Sequence, residues 1–242
     1  MRISRRALQE LIHFHNVQKW PTAMADEMRS CCYVKKDFIT EVEEKTLLAE
    51  VEPHMKRLRY EKSHWDDMTL TSSQSAKFLN FQAIHLYRER EQRQWKEENS
   101  EVIRRIRSES FGANTEHLTY VHILDLHKDG VIKPHIDSIR YCGDVITGVS
   151  LLSDAIMRLR HKDQKDELIV DLLMPRRSLY RLGGPGRYDF THEVLGETES
   201  VWTNGQRIPR NRRISIICRD LPKLTNRANE EEIQLKPIPE EA

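Results

Sequence analysis

The sequence contains no long hydrophobic run, since no stretch approaches the roughly eighteen apolar residues that a membrane-spanning helix needs. It also lacks a net charge of one sign, because 39 lysines and arginines face 38 aspartates and glutamates. This balance excludes a nucleic-acid-binding protein whose basic character shows in its net charge, and it excludes an acidic tail protein. We therefore expect a chain without a membrane span.

Cysteine is scarce as well, with only Cys31, Cys32, Cys142 and Cys218 among 242 residues. The spacing of these four residues fits no zinc-binding pattern, and so few cysteines do not indicate a disulfide framework. The length allows one ordinary domain with appendages or two small domains, and hydrophobic residues make up 38% of the chain, which is enough to bury a core.

Glycine is almost missing from the first half. Of nine glycines, only Gly112 precedes residue 130, and the other eight lie between Gly130 and Gly205. Glycine serves tight turns and bulges, so this asymmetry predicts a helical first half and a turn-rich β second half.

Two helical patterns support the first prediction. Thr40 and Glu43 have the spacing of a capping box, and a second pattern runs from about Tyr87 to Phe111. Between the two patterns, the Ser-rich stretch 69–82 is typical of a loop. We therefore assign residues 31–115 to a helical N-terminal extension.

The second half contains short strand-like segments separated by turn residues, which predict a sandwich, a jelly roll or a barrel. We assign residues 116–222 to this mainly β core, and the polar, acidic residues 223–242 to a flexible tail. The predicted strands are Leu118–Leu126, Val145–Ser153, Ile156–Arg160, Leu168–Met174, Ser178–Leu182, Val201–Trp202 and Arg212–Arg219.

The N-terminus is rich in arginine and poor in acids, with Arg2, Arg5 and Arg6 before the first acid, Glu10. This composition is typical of a mitochondrial transit peptide, here assigned to residues 1–30. An ordinary basic surface helix has the same composition, so both interpretations stay open at this point.

A metal centre is suggested by His-x-Asp, because a strand places residues i and i+2 on one face, as a two-histidine, one-carboxylate iron site requires. The motif alone decides nothing, since the sequence contains it four times and at least three copies are coincidental. The copies are His64/Asp66, His127/Asp129, His135/Asp137 and His161/Asp163.

Context favours His135/Asp137. This pair follows a predicted strand and a glycine turn, and Pro134 restricts the backbone just before it. Of the other pairs, His64/Asp66 lies in the helical half, His127/Asp129 flanks Lys128 in a turn-like segment, and His161/Asp163 lies in a charged loop. His192 is the candidate third ligand because it follows a glycine-rich turn. A half-buried histidine without a special role is the alternative for His192.

The last predicted strand alternates between two faces. One face carries Arg213, Ser215, Ile217 and Arg219, and the other carries only apolar side chains and Cys218. Buried guanidinium groups need a carboxylate partner, so the first face suits a bound dicarboxylate. The alternative is an edge strand whose arginines lie in water.

Taken together, His135-x-Asp137, His192, and Arg213 followed six positions later by Arg219 resemble the AlkB family of iron- and 2-oxoglutarate-dependent dioxygenases. The resemblance covers roughly residues 33–221 and is strongest to the mitochondrial branch of that family. The motifs that carry it are Ile132-Lys-Pro-His-Ile-Asp-Ser, Gly148-Val-Ser-Leu-Leu-Ser, Tyr188-Asp-Phe-Thr-His-Glu and the segment 207–219.

The resemblance implies a double-stranded β-helix, also called a jelly roll, that uses Fe(II), 2-oxoglutarate and dioxygen in the mitochondrial matrix. It implies that His135, Asp137 and His192 are the iron ligands. The positions that match 2-oxoglutarate contacts are Tyr180, Arg213, Ser215 and Arg219. The branch is associated with programmed necrosis and fatty-acid metabolism, and we expect a monomer.

The chain departs from the nucleic-acid-repairing members of the family. Ser215 and Ile217 replace an asparagine and a threonine, and Leu124 and Leu126 stand where those members carry Asn-x-Tyr. The hairpin lid that covers a flipped base has no counterpart in the sequence pattern. These departures favour a protein substrate.

Two alternatives remain open. The chain is a demethylase of RNA bases if the basic loop of Arg207, Arg210 and Arg212 contacts phosphates. It is a non-catalytic sensor or scaffold if iron and 2-oxoglutarate bind without turnover.

Overall fold

A computed structural model describes residues 11–61, 84–113 and 115–222. The predicted loop at 69–82, the His64/Asp66 pair and the predicted tail at 223–242 lie outside the described residues. The helices are α1 (Thr22–Cys31), α2 (Glu41–Met55), α3 (Glu97–Ser110) and the short α4 (Pro185–Tyr188). The strands are β1 (Ile12–Phe14), β2 (Tyr33–Lys35), β3 (Ile84–Gln92), β4 (Val121–His135), β5 (Ile146–Leu151), β6 (Ala155–His161), β7 (Ile169–Met174), β8 (Leu179–Leu182), β9 (Phe190–Val194) and β10 (Arg213–Arg219).

One long strand, β4, joins the two halves of a single ten-stranded sheet, which we call the first and second sheets. The first half of β4 pairs with β10, its end pairs with β9, and β3 pairs with it from Val121 to Ile132. The first sheet has the order β3-β4-β10-β5-β8-β2, and the second has the order β4-β9-β6-β7-β1, with antiparallel neighbours throughout. This arrangement is a nearly closed jelly roll, which confirms the predicted double-stranded β-helix.

The two faces of strand β10 have different roles, because one packs into a hydrophobic core and the other lines the interior of the barrel. Ile214 and Ile216 pack outwards into an apolar cluster that includes Leu47 of α2 and Ile106 of α3. Because side chains alternate along a strand, the residues between them point into the barrel, where Ile217 joins a second apolar cluster. The helices therefore cover the outside of the first sheet and leave its inner face to the site.

Helix α2 begins as the sequence predicts. The Thr40 hydroxyl accepts a hydrogen bond from the backbone N–H of Glu43, and the Glu43 carboxylate accepts one from the backbone N–H of Thr40. This reciprocal pair satisfies two N–H groups that the first turn of a helix leaves without intrahelical partners. The capping box is confirmed.

The helix predicted over Tyr87–Phe111 is only partly correct, because its first part is β3 and only Glu97–Ser110 is helical. Arginine and glutamate are good helix formers, which misled the prediction. Pairing with β4 from Gln92 opposite Val121 back to Tyr87 opposite Leu126 overrides that local preference. The first half therefore contributes a strand to the sheet as well as helices.

Residues 11–31 pack against the barrel. Strand β1 pairs with β7, and the ring of Trp20 stacks on Phe190 with ring centroids 5.7 Å apart. The Trp20 indole N–H also donates to the carbonyl oxygen of His15 at 2.8 Å. A transit peptide that reached residue 30 would take these core side chains with it when it was removed. The assignment of residues 1–30 stays a prediction.

No helix in the described ranges is long and apolar enough to cross a membrane.

Trp20 provides a test of this N-terminal packing. We expect Trp20→Ala to lower the free energy of unfolding by about 3 kcal/mol or more, because Trp20 is only 8% exposed and its loss opens a cavity against Phe190. Urea denaturation measures the change. Val17→Ala is the matched control, since Val17 is 59% exposed and should change stability by less than about 0.5 kcal/mol. Equal effects of both variants would contradict the packing.

Candidate metal centre and co-substrate pocket

The register of two strands brings together two histidines that are distant in sequence. His135 at the end of β4 lies directly opposite His192 of β9, and the centroids of the two rings are 4.3 Å apart. Directly opposed residues of an antiparallel pair project from the same face of the sheet. Both imidazoles therefore point to the same end of the barrel interior.

Asp137 completes the cluster two residues beyond β4. Its Oδ1 lies 3.4 Å from His135 Nε2 and 3.6 Å from His192 Nε2. One ligand atom from each of the three residues lies within 4.8 Å of the other two. Within the part of the chain that the structure describes, this is the one group of three or more histidine, cysteine or acidic residues that meets this distance.

The competing His-x-Asp pairs lie elsewhere. His127 and Asp129 are in the middle of β4, where the imidazole Nδ1 is 3.4 Å from the carboxylate of its own pair. The ring of His161 accepts hydrogen bonds from the backbone N–H groups of Asp163 and Gln164, so it stabilises a turn. Neither described competitor joins the cluster.

A backbone contact sets the tautomer of His135. Its Nδ1 lies 2.8 Å from the carbonyl oxygen of Lys133. A carbonyl oxygen only accepts hydrogen bonds, so Nδ1 carries the proton in the neutral ring and Nε2 keeps its lone pair. The nitrogen that faces Asp137 is therefore the one that can coordinate a metal, as is typical of metal-binding histidines.

Arg219 of β10 holds the carboxylate of Asp137. Its Nε and Nη2 both lie 2.9 Å from Asp137 Oδ2, which leaves Oδ1 turned towards the histidines. The remaining Nη1 of Arg219 donates to His122 Nδ1 at 3.0 Å, and His122 Nε2 lies 2.8 Å from the carboxylate of Glu89. A chain of polar contacts therefore runs from β3 to Asp137.

These contacts determine the charges of the cluster. Burial is the largest influence on Asp137 and would raise its pKa, but Arg219 and the two histidines outweigh it and hold the pKa well below its usual range. Burial, followed by the nearby His135, lowers the pKa of His192 to about 3. An ionised carboxylate beside neutral imidazole is a donor set that suits a divalent transition metal.

A buried cation fixes the loop that carries Asp137. Arg187 of α4 is 2% exposed, and its guanidinium donates to the backbone carbonyl oxygen of Asp137 at 2.8 Å. It donates further hydrogen bonds to the carbonyl oxygens of Ser138, Cys142 and Gly143. One guanidinium thus organises the whole turn after β4.

A second polar group lies deeper in the barrel, around Arg213. The Arg213 Nε donates to Ser150 Oγ at 2.8 Å, and its Nη2 donates to Ser215 Oγ at 3.3 Å. The Tyr180 hydroxyl lies 2.9 Å from Ser215 Oγ. Arg213 is 2% exposed, so the alternative of an edge strand with arginines in water is wrong.

Arg213 has no carboxylate partner among the described residues. Burial lowers the pKa of its guanidinium, which shows how strongly the apolar surroundings penalise the charge, although Tyr180 acts in the opposite direction. A buried cation of this kind is matched by an anionic ligand that brings its own carboxylate.

The structure brings together three of the four residues that the resemblance assigned to 2-oxoglutarate, namely Tyr180, Arg213 and Ser215, while Arg219 lies beside Asp137. Sequence reasoning missed Ser150 and Arg187. The alternation of β5 could have placed Ser150 on the inner face, whereas the carbonyl contacts of Arg187 leave no signal in the sequence.

The basic loop before β10 does not present three free cations. Arg207 is exposed, but Arg210 is buried, and the guanidinium of Arg212 is paired with Asp125 at 2.7 Å and with Glu52. Arg210 is withheld by burial and Arg212 by its ion pairs, so of the three only Arg207 is placed to contact a phosphate.

Comparisons with known proteins identify relatives of this chain and a shared fold. The chain is 42% identical to the bovine protein named mitochondrial alpha-ketoglutarate-dependent dioxygenase alkB homolog 7 and 41% identical to the mouse protein of that name. The alignment with the bovine protein covers 83% of this chain and 83% of the relative, and the alignment with the mouse protein covers 84% of each. No protein-family model matches the chain. A Pseudomonas putida prolyl-4-hydroxylase has the same fold, with a TM-score of 0.52 and 12% identity over 83% of this chain and 98% of its own.

The neutral state of His192 predicts an acid-sensitive stability in the metal-free protein. An imidazole in the unfolded chain takes up a proton near its ordinary pKa of 6.5, whereas His192 in the folded chain does so only near a pKa of about 3. The unfolded state therefore binds more protons in this window, and stability falls as the pH drops. At about pH 5 we expect a loss of about 2 kcal/mol, measured by urea denaturation.

His192→Asn removes this titration and should lose that part of the pH dependence. His127→Asn is the control, because the His127 side chain lies outside the cluster. A His192→Asn variant with the pH dependence of the wild type would contradict a buried, neutral His192.

Proposed function

Because this chain belongs to the mitochondrial alkB homologue 7 family of 2-oxoglutarate-dependent dioxygenases, we propose that His135, Asp137 and His192 hold its Fe(II). The observation that carries the proposal is the meeting of their three ligand atoms within 4.8 Å at one end of the barrel. Two histidines and one carboxylate are the protein ligands typical of non-haem iron oxygenases, in which the other positions stay open for co-substrate and dioxygen.

With 2-oxoglutarate and dioxygen, the iron supplies an oxidant that introduces oxygen at a substrate C–H bond while 2-oxoglutarate becomes succinate and carbon dioxide. The protein contributes binding and position. We propose that Arg213, Ser215 and Tyr180 bind the carboxylate of 2-oxoglutarate that is distant from the iron. The buried charge of Arg213 and the hydroxyl groups beside it fit a carboxylate.

Arg219 and Arg187 act through Asp137 rather than on the reacting atoms. Arg219 occupies Oδ2 and thereby directs Oδ1 to the metal position, and Arg187 holds the backbone on either side of that turn. Leu124 and Leu126 lie opposite Ser215 and Arg213, and together with Ile217 they give the inner face an apolar surface that would limit the access of water to the co-substrate.

We propose a protein side chain as the substrate rather than a nucleic acid. Glu89 and Glu91 lie opposite Leu124 and His122, on the edge of the first sheet that the polar chain connects to Asp137. Carboxylates at this edge repel a phosphodiester backbone, and the neighbouring basic loop offers one exposed arginine. Demethylation of RNA bases is therefore the weaker alternative.

We further propose that the protein acts in the mitochondrial matrix as a monomer. The names of the bovine and mouse relatives include the word mitochondrial, and the first residues are rich in arginine. Residues 11–31 pack into the fold, so import without removal of these residues fits the structure better than cleavage at residue 30. The association with programmed necrosis and fatty-acid metabolism rests on the family resemblance alone.

Metal binding tests the ligand set. We expect His192→Ala to weaken Mn(II) binding by about a hundredfold or more, because one of three protein ligands is lost. Titration calorimetry measures the affinity. Anaerobic addition of 2-oxoglutarate to the Fe(II) protein should also produce a visible charge-transfer band that His192→Ala lacks. His127→Ala is the matched control from a competing pair, and loss of metal in that variant alone would show that the ligand set is wrong.

Salt dependence tests the substrate class. If the β3 edge that carries Glu89 and Glu91 faces the substrate, single-stranded RNA should bind weakly. The logarithm of the association constant should then fall with the logarithm of the salt concentration, with a slope of magnitude below about 2. Fluorescence anisotropy across a salt series measures the slope. A slope of magnitude near 5 or above, together with turnover of 2-oxoglutarate stimulated by methylated RNA, would support the demethylase instead.

A further inference from the structure

Buried carboxylates in the described part of the chain are compensated either by arginine or, at Asp220, by the backbone N–H groups of Asp144 and Val145. Asp125 is paired with Arg88 and Arg212, and Asp171 is paired with Arg158. A buried charge without such a partner is costly in an apolar interior, so an exception to this pattern indicates a ligand.

Arg210 is such an exception. It is 6% exposed, and its Nη2 donates to the carbonyl oxygen of Gly130 at 3.2 Å. Its Nε and Nη1 are buried and have no hydrogen-bond partner in the described part of the chain. Glu197 is the nearby acid, but its carboxylate accepts from the backbone N–H of Arg210 rather than from the guanidinium.

The contrast with Arg187 shows that burial alone does not explain Arg210. Both guanidinium groups are buried and neither is paired with a carboxylate, yet Arg187 donates to the carbonyl oxygens of four residues, whereas Arg210 reaches one. Two nitrogen atoms of Arg210, with three N–H groups between them, remain unsatisfied, and water or a bound ligand is needed to satisfy them.

A chain of contacts that starts at the carbonyl group of Gly130 connects the guanidinium of Arg210 to the part of the barrel that contains Arg213. Gly130 packs closely on Leu126, since a Cβ added to Gly130 would lie 2.7 Å from Leu126 Cδ1. Leu126 in turn lies directly opposite Arg213 across β4 and β10. Burial, followed by the charge of Arg213, lowers the pKa of Arg210 to about 10, although Glu197 acts in the opposite direction.

We propose that Arg210 is a second anchor for the distal carboxylate of 2-oxoglutarate and shares it with Arg213; the inference rests on the co-substrate site proposed above. Arg213 already uses its Nε and Nη2 on Ser150 and Ser215. A carboxylate has two oxygens with about four lone pairs, so it can accept from both guanidinium groups and neutralise part of their combined charge. The doubly cationic end of the pocket selects keto acids that carry a second carboxylate.

The test compares two keto acids on the Mn(II)-loaded, full-length protein under anaerobic conditions, where binding is measured by titration calorimetry without turnover. One ligand is 2-oxoglutarate, and the other is 2-oxopentanoate, which keeps the keto acid group but ends in a methyl group. We expect Arg210→Gln to weaken 2-oxoglutarate binding by about tenfold or more and to leave 2-oxopentanoate binding within about twofold. Arg207→Gln, an exposed arginine of the same loop, should change neither affinity.

Two results would overturn the proposal. Unchanged affinity of Arg210→Gln for 2-oxoglutarate would remove the contact, and an equal loss for both ligands would show that Arg210 acts only on the structure of the pocket. Arg213→Gln separates this failure from failure of the co-substrate site, because full 2-oxoglutarate affinity in that variant would refute the site itself.

Arg210→Lys keeps the experiment decisive if Arg210→Gln does not fold. Lysine retains the charge but loses the planar fork of donors, so binding of 2-oxoglutarate should weaken by a smaller factor, about threefold to tenfold, with 2-oxopentanoate again unaffected. A lysine variant with the affinity of the wild type for both ligands would contradict a specific guanidinium contact.

Discussion

The ion pair between Arg219 and Asp137 is the interaction on which the site depends. Asp137 follows the strand shared by both sheets, whereas Arg219 ends β10 of the first sheet, so the pair ties the two layers together at the open end of the barrel. It also determines chemistry. Arg219 is the strongest of the influences that oppose burial at Asp137, so it helps to keep the pKa of the carboxyl low and to preserve the negative ligand that a divalent metal requires. The contact between Arg219 and Asp137 therefore both connects the two sheets and stabilises the charge of the carboxylate.

The second constraint is the alternation of β10 between two unlike environments. Its outward residues need only be apolar and of suitable size, because helices cover them. Its inward residues are charged or hydroxyl-bearing at Arg213, Ser215 and Arg219, and each has a defined hydrogen-bond partner. A shift of the strand by one residue would move the guanidinium groups into the apolar cluster and the isoleucines into the pocket. The register of this strand is thus fixed from both faces.

These environments explain what could be predicted from the sequence. The two faces of β10 are visible as simple alternation, and the glycine distribution indicated a β second half, which the fold confirms. The His-x-Asp motif alone was ambiguous because four copies exist. Context favoured His135/Asp137, and the pairing of His135 with His192 across β4 and β9 shows which third residue this copy meets. Strand β3 was missed because arginine and glutamate favour a helix locally. Only the pairing with β4, which the local sequence does not reveal, makes this segment a strand. Arg187 could not be found at all, since its partners are backbone carbonyls, which are the same in every sequence.

Among the described residues, three buried arginines lack a carboxylate partner, and they differ in how far the protein itself satisfies their guanidinium groups. Arg187 is satisfied within the chain, because the carbonyl oxygens of a tight turn surround its guanidinium. Arg213 is satisfied in part, by hydroxyl groups that leave its charge uncompensated. Arg210 is satisfied least, with two buried nitrogen atoms that lack a hydrogen-bond partner in the described residues. Arg213 and Arg210, which the protein satisfies least, are connected through Leu126 and Gly130 at one end of the barrel. A dianionic co-substrate bound with its distal carboxylate at that end would supply partners to both arginines, so the binding of 2-oxoglutarate should stabilise the fold as well as start the reaction.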